Sequence, residues 1–154
     1  MNEIEEIIAL HKRRQFFANN FAAIEIAHSN PNNDEQLKNS CPSCGYLTLG
    51  SRWSWEICTI CFWEDDGQDD AKAEEVWGGP NGIDSLAQYR MQTAKFLAEL
   101  KKHSSGTNSV GAIAGQEVNK LDLMIEAYQP QEEELLMQQM HAVEKAFAKV
   151  RGLI

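Results

Sequence analysis

All four cysteines of this chain fall in one short stretch, "CPSCGYLTLGSRWSWEICTIC", from Cys41 to Cys61. They form two Cys-x-x-Cys pairs, Cys41 with Cys44 and Cys58 with Cys61, with thirteen residues between the pairs. Each such turn lets two thiolates converge on one ion, and two turns complete a tetrahedral Cys₄ set. One structural zinc ion is the expectation; iron in a rubredoxin-like site is the lesser one, because tetrahedral sulfur suits both metals. Redox dithiols of the thioredoxin type would sit in a βαβ pattern, and none is evident. Four thiolates fill the coordination sphere, whereas a catalytic zinc keeps a position open for water. His11, His28, His103 and His141 lie far from the pairs and form no ligand spacing. The cysteines therefore point to architecture, in a chain that is not an enzyme.

The second cluster is "CFWEDDGQDDAKAEEVW". Between Trp63 and Trp77 it sets Glu64, Asp65, Asp66, Asp69, Asp70, Glu74 and Glu75, opposed only by Lys72. A calcium loop does not register on this spacing. No nucleophile accompanies the carboxylates, and "GGPNG" (78–82) lacks the Gly-Lys-Ser/Thr of a phosphate loop, so it reads as a turn. Acidic clusters speed encounter with a basic partner and tryptophan is a common interface anchor, so these nine residues are the candidate partner-binding face.

Charge supports that division. The formal net charge is −9. Residues 41–84 hold 2 basic and 9 acidic side chains, a net of −7, while 85–154 balance 8 against 8. Direct nucleic-acid binding needs a basic footprint and is disfavoured. No segment approaches the roughly 20 apolar residues of a membrane span. The start, "MNEIEEIIAL", is acidic where a secretory signal is basic, so a cytoplasmic location is expected. Thiols stay reduced there, consistent with metal ligation.

The elements that must position these residues follow from periodicity. Ile4, Ile7, Ile8, Phe17, Phe21 and Ile24 predict an amphipathic helix over about 3–28, bent or broken near Asn19-Asn20. Turn residues at 28–40 predict a connector. "YLTL" and "WSWEI" alternate apolar and polar positions, predicting a hairpin that turns at Gly50-Ser51 and sets Trp53, Trp55 and Ile57 on one face. Gly45 can adopt the left-handed angle of a metal knuckle. Asp84 or Ser85 caps a helix to about Lys102, with Leu86, Tyr89, Phe96, Leu97 and Leu100 near one face. "HSSGTNSVGAIAG" (103–115) reads as a linker. Two closing helices are expected, over 117–128 and 131–151, the last with Leu135, Leu136, Met140, Val143, Phe147 and Val150 as its stripe. No internal repeat is evident.

The fold class is α+β: a small zinc-ribbon-like β-hairpin module with a mainly helical body, one helix before it and about three after. The division is 1–40, an N-terminal helix and connector; 41–102, the cysteine module with its following helix; and 103–154, a linker and helical hairpin.

The runs "CPSCGYLTL", "EICTICFWEDDGQDD" and "GGPNGIDSLAQYR", spanning about residues 41–97, resemble the bacterial cysteine-rich CPCC domain family. That family's first motif is Cys-Pro-Cys-Cys, and Ser43 stands here at its third letter, which favours Cys41 and Cys44 as the ligands. The resemblance implies a zinc-ribbon-like module, and some related small acidic proteins are immunity proteins of bacterial toxin systems such as contact-dependent inhibition. The expected function is a non-enzymatic immunity protein that neutralises a basic toxin, a ribonuclease in preference to a pore former. The alternative is a zinc-stabilised adaptor or regulator unrelated to toxins. An enzyme acting through the carboxylates is a third reading.

Overall fold

The computed structural model describes residues 2–27, 38–105 and 108–154, with the backbone alone for 22–27. The expected connector is thus described only from position 38, and His28 and the side chain of Ile24 lie outside the described residues. Among the described residues the order is α1 (Glu3–Ala27), β1 (Asn39–Ser40), β2 (Leu47–Leu49), α2 (Leu86–Lys102), α3 (Val110–Glu126) and α4 (Glu133–Val150). This is the expected α+β class, one helix preceding a two-stranded antiparallel sheet and three following it. The chain divides into two compact units, Ile7–Thr93 and Met1–Glu6 with Ala94–Ile154. The divisions fall inside α1 and α2.

In the first unit, α1 buries Leu10, Phe17 and Phe21, with Arg13 buried on the same seam. Steps of three and four residues keep these side chains on one face. The helix runs unbroken past Asn19 and Asn20. Their amides bond along the helix surface, Asn20 Nδ2 donating to the Phe16 carbonyl at 2.9 Å and Gln15 Nε2 to Asn19 Oδ1 at 2.8 Å.

The hairpin differs from the expected one. β2 pairs with β1, Asn39 opposite Leu49 and Ser40 opposite Leu47, with an irregularity between Asn39 and Ser40. "WSWEI" forms no strand, because Trp53 and Trp55 adopt φ of 67° and 64°. Left-handed backbone cannot continue a pleated ladder. Ile57 instead makes an isolated antiparallel bridge to Glu64. Trp53, Trp55 and Ile57 are therefore not one strand face. α2 opens on a capping box: the Gln88 amide donates to Ser85 Oγ at 3.1 Å, and Ser85 N donates to Gln88 Oε1 at 2.9 Å. Of the two expected caps, Ser85 makes these bonds.

In the second unit, Ile4 at the start of α1 is 71% exposed and Glu6 is buried, the reverse of the expected stripe. The cause is Lys101, itself buried, whose ammonium lies 2.6 Å from Glu6 and 2.6 Å from Asp122. Ile8, in the neighbouring unit, is likewise exposed. α3 begins at Val110, well inside the expected 103–115 linker, because Ser109 Oγ accepts the Ala112 amide at 3.2 Å. Gly115 serves close packing: a Cβ there would collide with the Leu100 carbonyl oxygen. α4 buries Leu136, Met140, Val143 and Phe147 as expected, while Leu135 faces outward. Phe96 meets Phe147 edge-on at 6.1 Å.

Alanine normally gains about 1 kcal/mol over glycine inside a helix. Gly115→Ala should do the opposite here and lower the thermal midpoint by several degrees, read by circular dichroism.

Candidate metal centre

Two knuckles of equivalent construction form the centre. In the first, the Cys41 amide donates to the Tyr46 carbonyl and the Gly45 amide to the Cys41 carbonyl, both at 2.8 Å. In the second, Cys58 N donates to Trp63 O and Phe62 N to Cys58 O, both at 2.9 Å. Residues 41–46 and 58–63 are thus a local repeat that the sequence conceals, since Gly45 and Tyr46 correspond to Phe62 and Trp63. The shared backbone demand is a left-handed residue after the second cysteine, with φ of 82° at Gly45 and 66° at Phe62. Glycine meets it without strain, as expected; a phenylalanine there costs on the order of 1–3 kcal/mol. Gly45 has a second reason, because a Cβ would lie 2.8 Å from the Leu10 carbonyl oxygen of α1.

The knuckles bring the four sulfurs within 4.8 Å of one another. Cys41 Sγ lies 3.7 Å from Cys61 Sγ, and Cys44 Sγ 3.6 Å from Cys58 Sγ. Sulfurs at about 2.3 Å from a tetrahedral ion stand about 3.8 Å apart, so the spacing fits a metal and is far too long for disulfides. The cysteines are at most 6% exposed. Burial pushes the Cys41 and Cys44 thiols well above their ordinary value. Burial acts on Cys58 too, but hydrogen bonds from Cys41, Cys44 and Cys61 outweigh it and hold that thiol well below. Thr48 Oγ1 adds a bond to Cys58 Sγ at 3.1 Å. The donor set therefore fits a resident metal ion held by Cys41, Cys44, Cys58 and Cys61.

Arginines brace the knuckles from behind. Arg13 of α1 reaches the Cys44 carbonyl through Nε at 3.0 Å and a terminal nitrogen at 2.7 Å, with its guanidinium 4.1 Å from the Tyr46 ring centre. Arg90 of α2 donates to the Pro42 carbonyl at 2.8 Å. Ser43 does not face the sulfurs: its hydroxyl lies 3.1 Å from Thr93 Oγ1, so the missing third-letter thiol leaves the ligand set whole. Tyr89 packs edge-on against Trp63 at 5.1 Å and donates to the Cys61 carbonyl at 2.9 Å.

The nine candidate partner-binding residues separate into two groups. Trp63 and Asp65 are completely buried and cannot touch a partner. Asp65 accepts Arg52 Nε and the Trp53 amide, both at 2.8 Å, and so holds the left-handed tryptophan loop. Asp69 pairs with Arg14 at 2.7 Å and Arg52 at 2.9 Å; Asp70 pairs with Arg14 at 3.2 Å and Arg90 at 2.7 Å. Burial alone would raise the Asp69 carboxyl, but Arg14 and Arg52 hold it well below the carboxylate range. Glu64, Asp66, Glu74 and Glu75 form no ion pair among the described residues. Glu74, Glu75 and Trp77 are exposed, and Trp77 Nε1 donates to Glu75 at 2.9 Å. Asp66 accepts the Gln68 amide at 2.9 Å, and Asn81 Nδ2 donates to the Glu64 carbonyl at 2.7 Å. Arg13, Arg14, Arg52 and Arg90 were missed as site residues. The available signal was Arg13, placed between Leu10 and Phe17 on the buried stripe.

An α+β module built on a closed Cys₄ centre is the class these features define. Residues 39–112 match the model of the family described as Cysteine-rich CPCC. The match runs past the expected end at 97 into the start of α3. No curated protein and no solved structure matches the chain.

Elemental analysis should find one metal ion per chain, and Cys58→Ala should abolish it and shift emission of the buried Trp63 to the red. Asp65→Asn should cost about 2–3 kcal/mol in chemical denaturation. Glu74→Gln, at an exposed position, should stay within about 0.5 kcal/mol of the parent.

Proposed function

We propose that this chain is a non-catalytic protein-binding module whose single resident ion is zinc, and that it neutralises a basic protein toxin in the cytoplasm of a bacterium. One observation carries the reading. After Arg14, Arg52 and Arg90 have paired with Asp65, Asp69 and Asp70, the carboxylates Glu64, Asp66, Glu74 and Glu75 remain without a cationic partner among the described residues. Unneutralised carboxylates, one of them Glu75 bonded to exposed Trp77, favour a cationic partner, steering its approach and setting its orientation. A nuclease suits this best, because the cleft that binds RNA or DNA phosphates is itself basic.

The centre supports a structural role for the metal. Four buried thiolates complete a tetrahedral sphere and leave no position for substrate or water. Zinc prefers that geometry and, having no redox chemistry, keeps the module in one state. Among the described residues no helix is long and apolar enough to cross a membrane.

The metal-loaded chain and the basic protein encoded beside its own gene should associate in stopped flow. The on-rate should fall at least about tenfold as salt rises from about 0.05 to 0.5 M, and Glu74→Gln with Glu75→Gln should slow it further. Absence of a complex, or a rate indifferent to both salt and these substitutions, would overturn the reading.

A further inference from the structure

Two tryptophans outside the candidate face attract attention for where their side chains go. Trp53 is 71% exposed and Trp55 is 55% exposed, although both sit in a loop anchored at the core of the module. Each holds left-handed backbone, a conformation that glycine supplies freely and bulky residues rarely adopt. The loop is fixed in detail. The Trp53 amide donates to the buried Asp65 carboxylate at 2.8 Å, the Trp55 amide to the Asp65 carbonyl at 3.1 Å, and the Asp65 amide to the Glu56 carbonyl at 2.9 Å. Arg52 locks Asp65 from the other side at 2.8 Å. A fold that needed only this loop geometry would be served better by glycine at both positions. Two large indoles turned to solvent on a pinned, strained backbone are what a prepared binding surface requires.

The surroundings specify the occupant. Segment 53–56 runs beside Asp65, whose neighbours Glu64 and Asp66 are carboxylates without a cationic partner among the described residues. The Trp53 ring lies directly over Gly67, close enough that a Cβ there would meet it at 2.9 Å. Ile57 and Phe62 are also exposed, at 54% and 37%. A ligand for this surface must present a flat, weakly hydrated cation able to stack on an indole while pairing with a carboxylate. Guanidinium does both; ammonium is strongly hydrated and has no plane to stack.

We infer that Trp53 and Trp55 form a docking shelf for arginine side chains of the protein partner, with Glu64 and Asp66 as the paired anions. This rests on the reading of the partner as a basic protein and adds which cation it presents and which residues receive it.

The test uses the full metal-loaded chain with oligo-arginine and oligo-lysine peptides of equal length as probes, followed by nitrogen-15 NMR of the indole N–H signals. Oligo-arginine should bind at least about fivefold more tightly than oligo-lysine and shift the Trp53 and Trp55 signals while leaving buried Trp63 in place. Trp53→Gly with Trp55→Gly supplies the backbone that the loop wants, so the variant should keep its metal and its thermal midpoint. Its preference for arginine should vanish. Equal affinity for the two peptides, unchanged in the variant, would overturn the shelf and leave a basic partner standing on charge alone. Failure of both peptides to bind would overturn the basic-partner reading together with the shelf.

Discussion

Four sulfurs enclosed away from water impose the constraint on which the cysteine module rests. Desolvation opposes ionisation of Cys41 and Cys44, and the hydrogen bonds of the remaining thiols favour an anion at Cys58. A metal ion bound by all four as thiolates would remove the conflict. The two knuckles would then be tied into one body, and each carries an element with it: the β1–β2 pairing on the first, the Ile57–Glu64 bridge on the second. A divalent ion with four thiolates keeps a formal charge of about −2. The guanidinium groups of Arg13 and Arg90, bonded to the Cys44 and Pro42 carbonyls, are cations on the same knuckle.

A second layer of ionic contacts extends this rigidity outward. Arg14, Arg52 and Arg90 share Asp65, Asp69 and Asp70 in a chain of pairs, so that each carboxylate is held by at least one guanidinium. Asp69 and Asp70 are partly open to water, and pairs of that kind contribute little singly; their value is geometric. Asp65 is different. It is completely buried, and its oxygens set the path of the loop that carries Trp53 and Trp55. The acidic run thus has an inner part that builds and an outer part that remains available.

The cysteine cluster was legible because spacing alone constrains it: two residues within each pair and an intervening segment that can return. Gly45, the Ser85 cap and the Leu136, Met140, Val143, Phe147 stripe were legible for similar local reasons. The hairpin was not. Alternation in "WSWEI" resembles a strand, and nothing local announces that two tryptophans adopt left-handed backbone while their amides bond the carboxylate and the carbonyl of Asp65. α3 was mistaken for a linker at its start because Gly111 and Gly115 lower helix propensity, while the reason for Gly115, the Leu100 carbonyl, lies in another helix. Ile4 and Glu6 exchanged their expected faces because Lys101, 95 positions along the chain, needed an anion. The inward use of Asp65, Asp69 and Asp70 depended on arginines distributed over three separate segments.

Arg13 and Arg14 lie outside residues 39–112 yet supply contacts at the heart of that segment. The segment that matches the family model is consequently not chemically self-sufficient here. Transplanted alone into another scaffold, it would arrive with the Cys44 carbonyl stripped of its guanidinium donor, and Asp69 would depend on Arg52 alone. The leading helix is better understood as a charged splint, and its two adjacent arginines as borrowed parts that any host would have to replace.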